Sequence, residues 1–345
     1  MIQIRKEGLL LKKTELSFEN EGVLNPGIIA EGRHIHIFYR AVSKGNFSSI
    51  GYCLLDGPMT IVQRRQEPLV VPEFPYEAHG IEDPRIVKIE NLYYLTYTAY
   101  DGVNAHGALA VSEDLLHFEK KGIITPQTTF EHFRSLVERK AIIDTKYIKY
   151  NEHIVTRERD GDAVLLWDKN LIFFPRRIGG KLYFLHRIKP DMQLTCVYSL
   201  DELTPGFWEG YFQDLNDHIV MKSRYAHESA YLGGGAPPVE TPAGWLLIYH
   251  GVEDTPKGYI YSACAALLDL EDPQLEIARL PYPLFFPQEP WELEGEVNNV
   301  CFPTGTAIRD DRLYIYYGAA DEQIAVASVP LQALLDELLL NKKII

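Results

Sequence analysis

The chain has 345 residues, with 46% hydrophobic and 24% charged side chains. These proportions exclude a disordered chain, a collagen-like repeat and a coiled coil. Lys and Arg number 34 against 48 Asp and Glu, a net charge of −14. That balance argues against a nucleic-acid partner, because phosphate backbones are held by basic faces. No apolar run approaches the ~20 residues that span a bilayer, so no membrane is expected. The opening MIQIRKEGLLLKKTEL has scattered charges and no apolar h-region, and the expected location is cytoplasmic. Cys53, Cys196, Cys264 and Cys301 are far apart with no C-x-x-C, so no metal site is expected and buried thiols are. The 21 Tyr, 15 Phe and 4 Trp suit strands and surfaces that stack on sugar rings.

Taken in chain order, five segments share one layout: an apolar strand, a short polar turn, then an aromatic strand with a polar exit. They span 28–41, 85–101, 174–188, 237–252 and 302–321. Each turn holds Gly, Asn or Asp, which tolerate hairpin geometry. Phe38, Tyr97, Phe184, Tyr249 and Tyr316 align at spacings of 59, 87, 65 and 67 residues. The long gap predicts an insertion at about 130–167, its first half helical. A further strand follows each hairpin: SSIGYCLLD, GALAVSED, LTCVYSLDEL, YSACAALLDLED and QIAVASV. Five repeats predict an all-β, five-bladed β-propeller as a single domain over 1–345, with a C-terminal helix at about 330–342. A β-sandwich is the competing architecture, but it does not require the same hairpin five times.

The hairpin exits deliver Arg40, Asp101, His186 with Arg187, His250 and Asp321 to one structural place. In GIEDPRI, Glu82 and Asp83 precede Pro84, which fixes the backbone there. HESAYLGGGAPP lacks the Lys-Ser/Thr of a P-loop and reads as a close backbone crossing that positions His227, Glu228 and Tyr231. WDKNLIFFPRR sets Lys169 and Asn170 just before a strand. Carboxylates, a few cations and aromatic platforms, without a metal cluster, match the needs of glycosidic chemistry.

EDPRI, DKNLIFFPRRI-GGKLYFLHRI, the GGGAPP and GWLLIYHGV blocks, and FPTGTAIRDDRLYIYYGAAD resemble glycoside hydrolase family 130. The resemblance runs from about Asn25 to Val329. It implies a five-bladed propeller acting on β-mannosides, by phosphorolysis in some members and hydrolysis in others. It assigns the general acid to Asp83 and sugar contacts to Asn25, Arg40 and Asp321; Asp101, His250 and Tyr231 join them as expected substrate contacts. Lys169 and Arg187 match part of a phosphate site. Tyr231 stands where the phosphorylases carry a Lys, and KPDMQ, with Asp191 and Gln193, where they carry a His.

Three readings follow. In the preferred one, inorganic phosphate is co-substrate, no other cofactor is needed, and Lys169 and Arg187 orient phosphate for inverting attack on a manno-oligosaccharide, giving mannose 1-phosphate. In the second, an inverting β-1,2-mannosidase, Glu228 activates water, with Glu253 and Asp191 behind it. The third is a carbohydrate-binding propeller without turnover. Linkage and oligomeric state stay open, a homo-oligomer included.

Overall fold

A computed structural model describes residues 2–139, 143–152 and 164–342. The chain is mostly β. Strand β1 (Arg5–Leu11) is followed by a meander of β2 (Gly22–Glu31), β3 (His34–Ser43), β4 (Phe47–Asp56) and β5 (Thr60–Arg64). A second meander holds β6 (Gly80–Ile89), β7 (Leu92–Tyr100), β8 (Ala105–Ser112) and β9 (Glu119–Ile123). A single parallel pair, Ser48 with Gly80, links these two into one sheet. Helices α1 (Phe130–Val137) and α2 (Thr145–Asn151) precede a separate sheet of β10 (Lys169–Phe173), β11 (Leu182–Arg187), β12 (Met192–Val197) and β13 (Ile219–Met221). Helices α3 (Pro205–Gln213) and α4 (Leu215–His218) sit between its last two strands.

The next sheet is built on β14 (Tyr231–Gly234), β16 (Gly244–Thr255), β17 (Gly258–Leu268) and β18 (Glu276–Arg279), with β15 (Val239–Thr241) on β16. After α5 (Pro290–Leu293) come β19 (Cys301–Arg309), β20 (Arg312–Ala319) and β21 (Gln323–Pro330); β1 completes that sheet against β21. Helix α6 (Leu331–Leu340) ends the described chain and buries Leu334, Leu335 and Leu338.

All five expected hairpins are present, each followed by its further strand. The sheets meet through apolar clusters, and each cluster is shared by neighbours in chain order. Phe38 and Tyr52 of the first meander pack with Ile86 and Leu95 of the second. Leu109 packs with Phe173 and Phe184, Ile172 and Leu185 with Trp245 and Leu247, and Ile248 with Ile315 and Tyr317. The last cluster returns to the start, with Ile37 and Val23 against Tyr316 and Val326. Burying one such side chain is worth about 1.5–3 kcal/mol, so the seams between sheets hold the molecule together. Among the described residues no single sheet closes on itself by hydrogen bonds.

Strands of neighbouring sheets also touch directly. Thr304 Oγ1 donates to the Pro26 carbonyl at 2.9 Å, and Thr96 Oγ1 to that of Leu171 at 2.5 Å. At Gly235 a Cβ would lie 2.5 Å from the Ile248 carbonyl oxygen and 2.8 Å from that of Pro303. Only glycine fits there, which accounts for the GGGAPP run as a backbone crossing.

The first half of the insertion is helical as expected, with α1 and α2, while Leu165 bridges Thr129; residues 140–142 and 153–163 of it lie outside the described residues. Helix α3 is an addition to the elements expected from sequence, although Thr204 caps it and Pro205 opens it, a standard start signal. No helix among the described residues is long and apolar enough to cross a membrane.

Candidate functional site

Three inner strands break at the same place. Registers shift between Leu24 and Gly27, Glu82 and Arg85, and Lys169 and Ile172. Within these bulges Asn25, Asp83 and Asn170 take positive φ of 50°, 51° and 55°. Asn and Asp tolerate this left-handed conformation better than other residues with a Cβ. A bulge re-aims a side chain that regular alternation would send to one sheet face. Here it brings the Asn25 amide to Asp83, donating to Oδ1 at 2.7 Å.

Around this pair stand Arg40, Glu82, Asp321 and Lys169. Arg40 lies 2.8 Å from Glu82 and donates to Ser48 Oγ at 2.8 Å; Lys169 reaches the other Glu82 oxygen at 3.4 Å. Burial pushes the Asp83 carboxyl up, but Arg40, Arg85, Lys169 and the Asn25 amide together hold it below the usual carboxylate range. Asp321 goes the other way: burial, with Asp83 and Glu82 nearby, pushes it up to about 6. Two carboxyls of one site thus hold protons differently, a common mark of acid–base sites.

The second half of the site is cationic. Lys169 pairs in register with Arg187 across β10 and β11. Arg187 donates from an Nη to His250 Nε2 at 3.1 Å, and its buried Nε has no partner. Burial, then Arg187, Arg85 and Lys189, hold the His250 ring well below its ordinary pKa, so it is the neutral acceptor. Gly233 makes room for this contact, since a Cβ there would sit 2.7 Å from both Asn170 Oδ1 and His250 Nε2. The Arg187 guanidinium lies 5.4 Å and the Lys189 ammonium 4.0 Å from the centre of the Tyr231 ring. Arg85 donates to the Gly235 and Asp83 carbonyls at 2.6 and 2.8 Å. Isolated buried cations are costly. Burial lowers the pKa of Arg85, Arg187 and Lys189 alike.

Asn25, Asp83, Arg40, Asp321, Lys169, Arg187, His250 and Tyr231 are therefore brought together. Lys189 and Arg85 were missed by sequence reasoning. The signals available were Lys189's place two residues beyond the Arg187 exit, and Arg85's place directly after Asp-Pro.

Three expectations need correction. Asp101 is committed to its own loop: its Oδ1 accepts from the backbone N–H groups of Val103 and Asn104 at 2.7 and 2.6 Å, and its Oδ2 from the Asn104 amide at 3.1 Å. Asp191, expected to oppose an anion or serve as a base, turns instead to the Ser223 N–H at 3.4 Å. Glu228 is fully buried and committed. It accepts from the backbone N–H of Arg224 at 2.7 Å and of Tyr225 at 3.2 Å, from Tyr249 Oη at 2.6 Å and from Arg279 at 3.1 Å.

The reason for Glu228 is structural and recurs. Glu77 takes the Glu73 and Phe74 N–H groups, Tyr97 and Lys120; Glu292 takes those of Gln288 and Glu289, with Tyr317 and Lys6. Glu19 joins Tyr39 and Arg64. In the β10–β13 sheet Asp168, His186 and Tyr211 link up instead. Each Glu ties a loop to a strand tyrosine and an outer cation. A Glu repeated against the strand tyrosine of four of the five hairpins is a fastening of the fold, not the base of a single site.

The family model for glycoside hydrolase family 130, described as β-1,4-mannooligosaccharide phosphorylase, matches residues 11–339. A 1,2-β-oligomannan phosphorylase of Thermoanaerobacter sp. (strain X514) is 31% identical over 95% of this chain and 97% of its own length. A β-1,2-mannobiose phosphorylase of the same organism is 32% identical with the same coverage. Among solved structures, the β-1,2-mannobiose phosphorylase of Listeria innocua superposes with a TM-score of 0.71 at 21% identity, covering 98% of this chain and 99% of that one. With matching blocks along the sequence, a family model spanning nearly all of it and relatives of equal length, this chain belongs to glycoside hydrolase family 130, an enzyme family of β-mannoside cleavage.

Proposed function

We propose that the protein is an inverting β-mannoside phosphorylase: phosphate attacks the anomeric carbon of a terminal mannosyl residue and mannose 1-phosphate is released. The observation that carries this reading is the cationic wall of Lys169, Arg187 and Lys189, in a chain of net charge −14, whose Lys169 and Arg187 act on Asp83. A dianion held there gains charge-assisted hydrogen bonds and is oriented for attack. Asn25, Arg40 and Asp321 hold the sugar, and Asp83 supplies the proton to the leaving oxygen. In the free protein the cations around Asp83 favour its ionised form. A bound phosphate draws on the same cations, which raises the Asp83 pKa toward the protonated form that an acid needs.

The five repeated hairpins, each with its further strand, and the five shared apolar seams support a five-bladed propeller, its site where the inner strands meet. Relatives aligned over 95% of the chain are named for β-1,2-linked mannosides, so β-1,2-mannobiose and its longer homologues are the first substrates to offer. A phosphorylase conserves bond energy only where the sugar phosphate is used, which favours a cytoplasmic location.

The test incubates β-1,2- and β-1,4-linked manno-oligosaccharides with and without phosphate and follows mannose 1-phosphate and free mannose. Phosphate-dependent mannose 1-phosphate is expected, and Arg187→Ala should raise KM for phosphate with little change in KM for the mannoside. Free mannose at a rate indifferent to phosphate would overturn the proposal in favour of hydrolysis.

A further inference from the structure

Lys189 follows the β11 exit by two residues, in a turn that the inserted helix α2 grips. Asn151 donates its amide to the Lys189 carbonyl at 3.0 Å and to the Tyr147 carbonyl at 2.7 Å. Gln193 accepts from Ile188 N–H at 2.7 Å; its amide donates to the Ile188 and Asp191 carbonyls at 3.0 and 3.1 Å and to Tyr147 Oη at 2.9 Å. From the opposite side, Leu232 N–H donates to the Pro190 carbonyl at 3.1 Å. The turn is clamped between α2 and the strand that carries Tyr231. Tyr150 of α2 meets the Tyr231 ring edge-on, with centroids 6.0 Å apart, and Lys146 donates to the Ser229 carbonyl at 3.4 Å.

We propose that Lys189 is a third phosphate-holding residue and that helix α2, through Asn151 and Tyr147, is the positioning element that seats it. The inference rests on the phosphorolytic reading above and deepens it. A lysine merely packed on an aromatic ring needs no second cation beside it, yet Lys189 and Arg187 share the Tyr231 platform. Among the described residues no carboxylate is paired with its ammonium. Burial, with Arg187 and Lys169 close by, lowers its pKa to about 7. An anion received there stabilises the charged form, so binding and protonation support each other. His250, the other titratable group in this wall, stays neutral and accepts from Arg187. The insertion thus serves the chemistry directly. Without α2, the backbone carbonyl of Lys189 loses the Asn151 donor that fixes where the side chain starts.

Steady-state kinetics with β-1,2-mannobiose tests this, varying phosphate and mannoside separately. Lys189→Met keeps the apolar stem on Tyr231 and removes the charge; KM for phosphate should rise about 10–100-fold, as for loss of one charge-assisted hydrogen bond. KM for the mannoside should stay within about twofold. Lys189→Arg should recover most of the loss. Asn151→Ala should move KM for phosphate in the same direction by a smaller factor, whereas a purely structural role would lower thermal stability and leave the phosphate KM in place. Lys189→Gln and phosphate titration calorimetry on Asn151→Ala give the same comparison if the Met variant folds poorly. A phosphate-dependent wild type with an unchanged phosphate KM in Lys189→Met or Lys189→Gln overturns this inference alone. A wild type indifferent to phosphate overturns the phosphorolytic reading and this inference with it.

Discussion

Glu228→Gln separates a fastening from a catalytic base, and the repeat supplies its own control. The change keeps the size of the side chain but removes its charge and turns one oxygen into a donor. Either the two backbone N–H groups of Arg224 and Tyr225 or the Arg279 guanidinium must then face an NH₂. Removing one partner of a buried ion pair costs about 3–5 kcal/mol. Arg279 keeps Glu276 as a second carboxylate, which places the loss near the lower end. For domains of 150–250 residues 1 kcal/mol shifts Tm by about 2–4 °C, so a loss of about 3 kcal/mol predicts a fall of roughly 6–12 °C. Glu77→Gln, in the second meander, should lose a similar amount because Glu77 serves Lys120, Tyr97 and two N–H groups in the same way. The assay is paired thermal and urea unfolding of both variants, with activity measured per folded molecule at about 20 °C below each Tm. Both should keep most of their turnover. A Glu228→Gln protein of wild-type stability and no activity would refute the fastening and restore Glu228 as the base.

Asp321 is tested by stability against pH. Its folded pKa of about 6 lies above the unfolded value near 3.9, so the folded state holds more protons in that window and stability falls as pH rises through it. Asp321→Asn should remove a penalty of about 3 kcal/mol at pH 7 and little at pH 4, read as a urea-midpoint difference that grows with pH; a constant difference would contradict it. Asp83→Asn should lower turnover by about 10²–10⁴-fold without loss of fold, and retention of a tenth of the rate would remove Asp83 from the acid's role.

The hairpins were legible because period-2 strands with Gly, Asn or Asp turns carry a strong local signal, and five copies reinforce it. The helix α6 was legible from its apolar stripe. What sequence spacing does not carry is direction. Asp101 and Asp321 both follow a repeated aromatic strand, yet Asp101 bends back onto the Val103 and Asn104 N–H groups while Asp321 joins Arg40 and Asp83. In sequence Glu228 is an isolated acid beside a glycine run. Its kinship with Glu77 and Glu292 lies in a Glu 20–25 residues before a strand tyrosine, a pattern visible only once the tyrosines are known to reach back. Lys189 is hidden by a different effect: in KPDMQ the missing cation stands out against the family pattern, and the Lys at its head matches no motif position.

The bulges decide which residue types the site accepts, and this separates two conservative changes at Asp83. Its φ of 51° lies in the left-handed region, which Asp and Asn enter readily and longer side chains resist. Asp83→Asn keeps both backbone preference and shape, and it removes one buried carboxylate. Asp83→Glu keeps the charge but places a less tolerant residue at positive φ and pushes the carboxylate past the Asn25 amide, 2.7 Å from Oδ1. Backbone strain of this kind costs about 1–3 kcal/mol. The charge-conserving variant should therefore be the less stable one, by at least about 1 kcal/mol in urea unfolding, and equally inactive because its acid is displaced. If Asp83→Glu matched wild-type stability and worked, charge alone would govern this position, and the shared bulge at Asn25, Asp83 and Asn170 would have no part in building the site.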